Sequence, residues 1–160
     1  MTERKNAKES ERWDLTAIYP DEASFLAAAQ NLRALIAAYP ENRETMTKSG
    51  EGLFRALEQN TAIERLLSRL YEYASLSSDL DKGDNAALAR LERVRNLGDE
   101  AVAATYFLAP VLTGIPEAEL QSFFAGYPAL DAYRRQIACI RRYRPHMLKK
   151  SEEKLMAGLQ

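Results

Sequence analysis

The residue types that carry most protein chemistry are scarce in this chain. The single cysteine and the single histidine, Cys139 and His146, frame one stretch, CIRRYRPH. A thiol or hydroxyl nucleophile needs a base within hydrogen-bond reach, and His146 is the one imidazole on offer. A catalytic zinc needs three protein ligands, commonly two histidines four apart on a helix face plus a carboxylate. One histidine cannot supply that set, and no H-E-x-x-H occurs in the chain. On a helical wheel Cys139 falls opposite the apolar stripe Leu130, Tyr133, Ile137 and Ile140. Pro145 disfavours helical geometry at Arg144, which places His146 on a connector beyond a helix end. Cys139 and His146 are therefore not expected to converge. His146 is expected to be a surface or hydrogen-bonded side chain rather than a catalyst.

Three other groups invite a functional reading. Arg134, Arg135, Arg141, Arg142 and Arg144 form a basic run, with Arg134 and Arg141 flanking the apolar stripe and Arg135 and Arg142 further outward. Such a run could contact phosphates or peptide carboxylates. It could equally be a solvated face whose long stems cover the core edge and pair with acidic neighbours. The lack of an aromatic platform among these arginines favours the second reading. Tyr71 and Tyr73 fall on different faces of one helix, and Tyr106 opens YFLAP. Tyrosine hydroxyls can hold a substrate backbone or an oxyanion; packing as half-buried rings with one wet edge is the favoured reading. Asp79, Asp81, Asp84 and Asn85 faintly resemble a calcium loop. Counted from Asp79, however, the twelfth slot holds Arg90; counted from Asp81, the sixth holds Ala86 rather than glycine. A turn carrying helix caps is expected there.

The elements that would position these groups are helices. Asp21 can cap a first helix, with Glu22 at the positive end of its dipole. Phe25, Ala28, Ala29, Leu32, Leu35 and Ile36 recur at helical spacing until Pro40 stops the run. A polar link, RETMTKSGEG, leads to a second helix near 53–78, with Ile63, Leu66, Leu67, Leu70 and Ala74 as its stripe. Asp84 or Asn85 caps a third helix carrying Leu88, Leu91, Val94, Ala101, Val102, Thr105 and Leu108, in which Gly98 marks a weak point. The pattern then breaks at Pro110 and Gly114 and restarts with Pro116 at a first helical position; Pro128 does the same. A last helix begins near Ser151. No strand-like alternation and no fixed-period repeat compete with this pattern. The expected fold is all-α, an antiparallel multi-helix array with short Pro/Gly turns and no sheet.

Length and composition agree. A chain of 160 residues fits one domain, and such a chain buries roughly 68–70% of its unfolded surface without disulfides or metal. Twenty-two Lys and Arg nearly balance 23 Asp and Glu, so global charge points to no nucleic acid or anionic membrane. One cysteine suits a reducing compartment. The leader, residues 1–12, is polar, is expected to be flexible and lacks the apolar core of a signal peptide. No stretch is apolar for the ~18 residues of a spanning helix. The expectation is a soluble, cytoplasmic protein.

Two stretches carry a resemblance. RWDLTAIYPDEASF, residues 12–25, is similar to the opening W-D-L-x-x-[LI]-Y-P of the oligoendopeptidase F branch of the M3 metallopeptidases. IACIRRYRPHMLKKSEEKLMA, residues 137–157, resembles that family's L-x-x-I-x-R-x-[KR]-P-H-x-L-S-x-x-E-E-x-L-L-A, matching at Ile140, Arg142, Arg144, Pro145, His146, Leu148, Glu152, Glu153, Leu155 and Ala157. Between them, LAPVLTGIPEAELQSFF resembles the family's P-E-[IL]-x-x-[IL] and its short helix. Lys149 stands where the family usually has serine, so Ser151 is the expected cap of the last helix.

The resemblance implies that residues 13–160 are the amino-terminal helical lobe of a zinc-dependent oligoendopeptidase that hydrolyses short peptides. The lobe would form part of the cleft wall, and the final helix would continue into, or pack against, the rest of the enzyme. The family's zinc motif lies beyond the part that this chain resembles. The resemblance therefore assigns no catalytic, cofactor-binding or metal-binding residue here, and residues 1–160 alone are expected to be inactive. Zinc belongs to the parent enzyme, and the implied partners are its catalytic domain and short peptides, with no nucleic acid and no membrane. The alternative is a free-standing helical interaction module that keeps the fold without the peptidase.

Overall fold

The computed structural model describes residues 13–144, and among them every regular element is helical. In order they are α1 (Glu22–Ala38), a 3-10 turn (Tyr39–Glu41), α2 (Asn42–Thr45), α3 (Gly50–Leu80) and α4 (Asn85–Thr105), followed by α5 (Leu108–Gly114), α6 (Glu117–Gly126), a 3-10 segment (Pro128–Tyr133) and α7 (Arg134–Arg142). The all-α expectation holds, with no strand among the described residues. The leader 1–12, His146 and the helix expected near Ser151 lie outside the described residues.

The chain forms two compact units, one of residues up to 41 with 56–106, the other of 42–55 with 107 onward. In the first unit, α1 begins where Asp21 accepts the Ser24 amide at 2.7 Å, as the capping pattern predicts. Its face Phe25, Ala29, Leu32 and Ile36 is buried, and Pro40 falls in the 3-10 turn that ends it. On α3, Ile63, Leu70 and Ala74 are buried and Leu66 and Leu67 half-buried. Residues 81–84 turn the chain back: Asp84 accepts from the amides of Ala86 and Ala87 and starts α4. The inner face of α4 is Ala87, Leu91, Val94, Leu97 and Ala101. Leu88 and Val102, read from periodicity as core, are 42% and 69% exposed. The inner stripe is rotated toward Ala87 and Leu97, which leaves those two branched side chains outside. Gly98 does not break the helix.

In the second unit, the stretch read as a polar link contains most of α2, buries Met46 completely, and starts α3 at Gly50, three residues before the expected Leu53. Ser49 accepts the Gly52 amide at 3.0 Å, the capping signal that marks this start. The first turn of α3 packs so closely that a Cβ on Gly50 would meet the Phe123 carbonyl oxygen at 2.5 Å, and one on Gly52 the Thr45 oxygen at 2.3 Å. The break expected at Pro110 falls earlier, at Tyr106–Phe107: Pro110 sits in the first turn of α5, where it forfeits no intrahelical hydrogen bond. Pro116 is the cap of α6 rather than its first residue. Pro128 opens a 3-10 segment, not an α-helix, and α7 follows at Arg134.

Candidate functional site

Among the described residues, the side chains that could do chemistry are placed as follows. Cys139 is exposed on α7 while Ile137 is buried, so the thiol faces away from the core as the wheel predicts. The basic run divides by role. Arg141 is 12% exposed in its side chain and donates to the carbonyls of Leu112 (2.9 Å) and Ile115 (2.7 Å) and to the Glu117 carboxylate (3.1 Å). It therefore ties α7 to the end of α5 and the start of α6, satisfying carbonyls that a helix terminus leaves open. Hydrogen bonds from Gln121 and the nearby Arg141 guanidinium hold the Glu117 carboxyl below its ordinary pKa. Arg134 pairs with Asp131 at 2.5 Å and lies 4.0 Å over the Phe124 ring, so an aromatic surface does reach this arginine, from α6. Arg135, Arg142 and Arg144 make no comparable clip among the described residues, and all three are exposed. The acidic turn resolves into local structure: Asp79 pairs with Lys82, Asp81 accepts the Gly83 amide, and Asp84 caps α4. Among the described residues no three His, Cys, Asp or Glu side chains lie close enough to hold a metal ion. The described residues do not fit a zinc site.

The stretch that opens the chain's resemblance is a fastening. Asp14 accepts from the hydroxyl and amide of Thr16 (2.6 and 2.9 Å), which lowers its pKa, and the amides of Ile18 and Tyr19 turn back to the Leu15 carbonyl. Arg69 of α3 reaches the Ile18 carbonyl at 2.6 Å and stacks over Tyr19. Tyr19 is buried edge-on against Phe25 and Tyr73. Arg90 of α4 closes this cluster, lying over Phe25 and Tyr73 and donating to Glu22 through Nε (2.9 Å) and Nη2 (2.7 Å). Burial raises the pKa of Tyr19, opposed by Arg69, and its hydroxyl has no partner among the described residues. Tyr73 is thus part of the packed cluster, as expected of a half-buried ring. The sequence carries no sign of the roles of Arg69 and Arg90. Their partners are 51 and 68 residues away, so no local pattern announces them.

Tyr71, on the other face, lies beside a groove of about 500 Å3 between α3 and α4, lined by Glu64, Leu67, Ser68, Tyr71, Val94, Arg95, Gly98 and Asp99. Its floor is apolar, and its polar groups are two carboxylates, a guanidinium and two hydroxyls. Gly98 keeps the floor open: a Cβ there would have only Leu67 near it, at 3.9 Å. This inventory can hold an apolar side chain beside a charge. It contains no imidazole and no thiol. Tyr71 and Gly98 are noticeable in the sequence, whereas their meeting across two helices is not.

Comparison with known proteins agrees with the helical pattern. Residues 112–160 match the family model Oligopeptidase F. Oligopeptidase PepF of Bacillus subtilis is 30% identical over 98% of this chain, and Group B oligopeptidase PepB of Streptococcus agalactiae is 26% identical over 97%. A crystal structure of a candidate peptidase from Chlamydophila abortus, 26% identical, matches 98% of the chain with a TM-score of 0.81. The chain spans about a quarter of each: 23% and 26% of the two relatives and 26% of the solved chain. Both sequence anchors fall inside the aligned length, so over almost all of its residues this chain resembles the amino-terminal helical region of the oligopeptidase F family.

Proposed function

We propose that residues 13–160 form the amino-terminal lobe of a zinc-dependent oligoendopeptidase that hydrolyses short peptides. In this reading the lobe forms part of the substrate-cleft wall, and zinc, its ligands and the reaction lie in the remainder of the enzyme. One observation carries it: a relative named an oligopeptidase matches 98% of this chain, yet the match takes up 23% of that relative. The described Arg141, Arg90 and Asp84 act in clipping and capping roles, which suits a wall built for shape. A helical wall of this kind sets substrate size by shape, admitting unstructured peptides and excluding folded proteins. The partners are then the catalytic remainder and short peptides, and the setting is the cytoplasm. Among the described residues no single helix is long and apolar enough to cross a membrane. A free-standing interaction module is the second reading, favoured by the exposed Val102 and Tyr106.

The test has two arms. The natural reading frame is sequenced past Gln160, and both its full product and the 160-residue chain are assayed with internally quenched peptides, with and without a chelator. A downstream H-E-x-x-H, chelator-sensitive cleavage by the full product and none by the chain alone are expected. A stop codon directly after Gln160, or cleavage by the chain alone, overturns the proposal.

A further inference from the structure

The two α4 side chains that periodicity assigns to the core but the fold leaves outside belong to one seam. Leu88, Arg95, Asp99, Val102 and Tyr106 recur at spacings of seven, four, three and four and share one face of the helix. Leu88 is 42% exposed, Val102 69% and Tyr106 64%. Asp99 makes no hydrogen bond or ion pair among the described residues, and Arg95 has only a loose 3.8 Å approach to Glu92. Monomeric proteins seldom leave branched and aromatic side chains aligned with unspent charge in this way.

The order of residues along the seam is self-complementary. Reversed about the level of Leu97, Arg95 falls opposite Asp99, and Leu88 falls opposite Tyr106. An antiparallel second copy of α4 would therefore place two Arg95–Asp99 pairs at the centre and two Leu88–Tyr106 contacts at the ends. That is the reciprocity a two-fold interface demands. Glu92 opposite Val102 is the one mismatched level. We infer that this face of α4 is a docking surface for a second copy of the chain, paired antiparallel through Arg95 and Asp99. The pairing does not depend on the peptidase reading.

At 1.5 Å per residue the seam is about 27 Å long. A single helix pair of that length lies at the small end of specific interfaces, so a weak, concentration-dependent dimer is expected. Sedimentation equilibrium of the full chain from about 1 to 500 µM tests it. The wild type should move from the 18.1 kDa monomer toward twice that mass. Asp99→Arg and Arg95→Asp, each placing like charges opposite one another twice, should each weaken association about tenfold or more, and the double exchange should restore it. Both charged side chains lie on the open face of the helix, and unchanged helical circular dichroism confirms folding. A wild type that stays monomeric throughout, or association indifferent to both charge reversals, overturns the inference.

Discussion

At the scale of single residues, Arg141 is the clearest instance of a structural role among the described residues. Its guanidinium serves two carbonyls and a carboxylate at once, a fork that lysine cannot reproduce. Arg141→Ala strands those acceptors and should lower stability by about 2–3 kcal/mol in urea unfolding, with Arg141→Lys recovering part of the loss. The Asp21 cap is legible in the sequence because a cap joins neighbours: donor and acceptor are three residues apart. Arg141 is not, because its partners lie 24 to 29 residues away. A solvated arginine and a buried clip look alike in a sequence. Cys139 is the opposite case, since its outward position follows from the helical wheel alone.

At the scale of elements, two glycines in helices separate sharply. Gly50 starts α3 against the backbone of α6, and Gly98 sits in the middle of α4, where a Cβ would meet only Leu67 at 3.9 Å. Gly50→Ala forces a 2.5 Å contact with the Phe123 carbonyl and should destabilise by about 1–3 kcal/mol. Gly98→Ala meets only an ordinary contact and should stabilise by about 0.5–1 kcal/mol, from the entropy glycine loses in a helix. Urea denaturation of the two variants beside the wild type reads both signs. Phe25 binds α1 to its neighbours through Tyr19, Tyr73 and Arg90 and is fully buried. Phe25→Ala should cost about 3–5 kcal/mol in the same measurement. Helix existence is readable from spacing, but the face that turns inward on α4 is set by what packs on it. Pro110 misleads for a related reason, since a proline in a first turn stops nothing.

At the scale of the whole molecule, carboxylates make the chain acid-labile. Hydrogen bonds from Thr16, Ser24 and Gln121 hold Asp14, Asp21 and Glu117 below their ordinary pKa values. A group depressed in the folded state stabilises fully above its unfolded pKa and loses that stabilisation as pH falls through the folded value. The urea midpoint should therefore hold level from pH 7 to about 5 and fall once pH drops below the ordinary carboxylate range near 4. Replacing Asp21 by asparagine keeps a capping oxygen and should flatten part of that fall. A midpoint insensitive to pH between about 5 and 2.5 would refute the linkage.

The helical class, the caps at Asp21 and Asp84, the outward Cys139 and the family resemblance are all written in the order of the residues. Each depends on near neighbours or on periodic spacing, where the chain's own geometry decides. Tertiary packing alone makes Arg69, Arg90 and Arg141 into clips, leaves Leu88 and Val102 outside, and opens a groove at Gly98. Those outcomes rest on contacts between residues tens of positions apart, and local pattern carries no record of which helix face meets which.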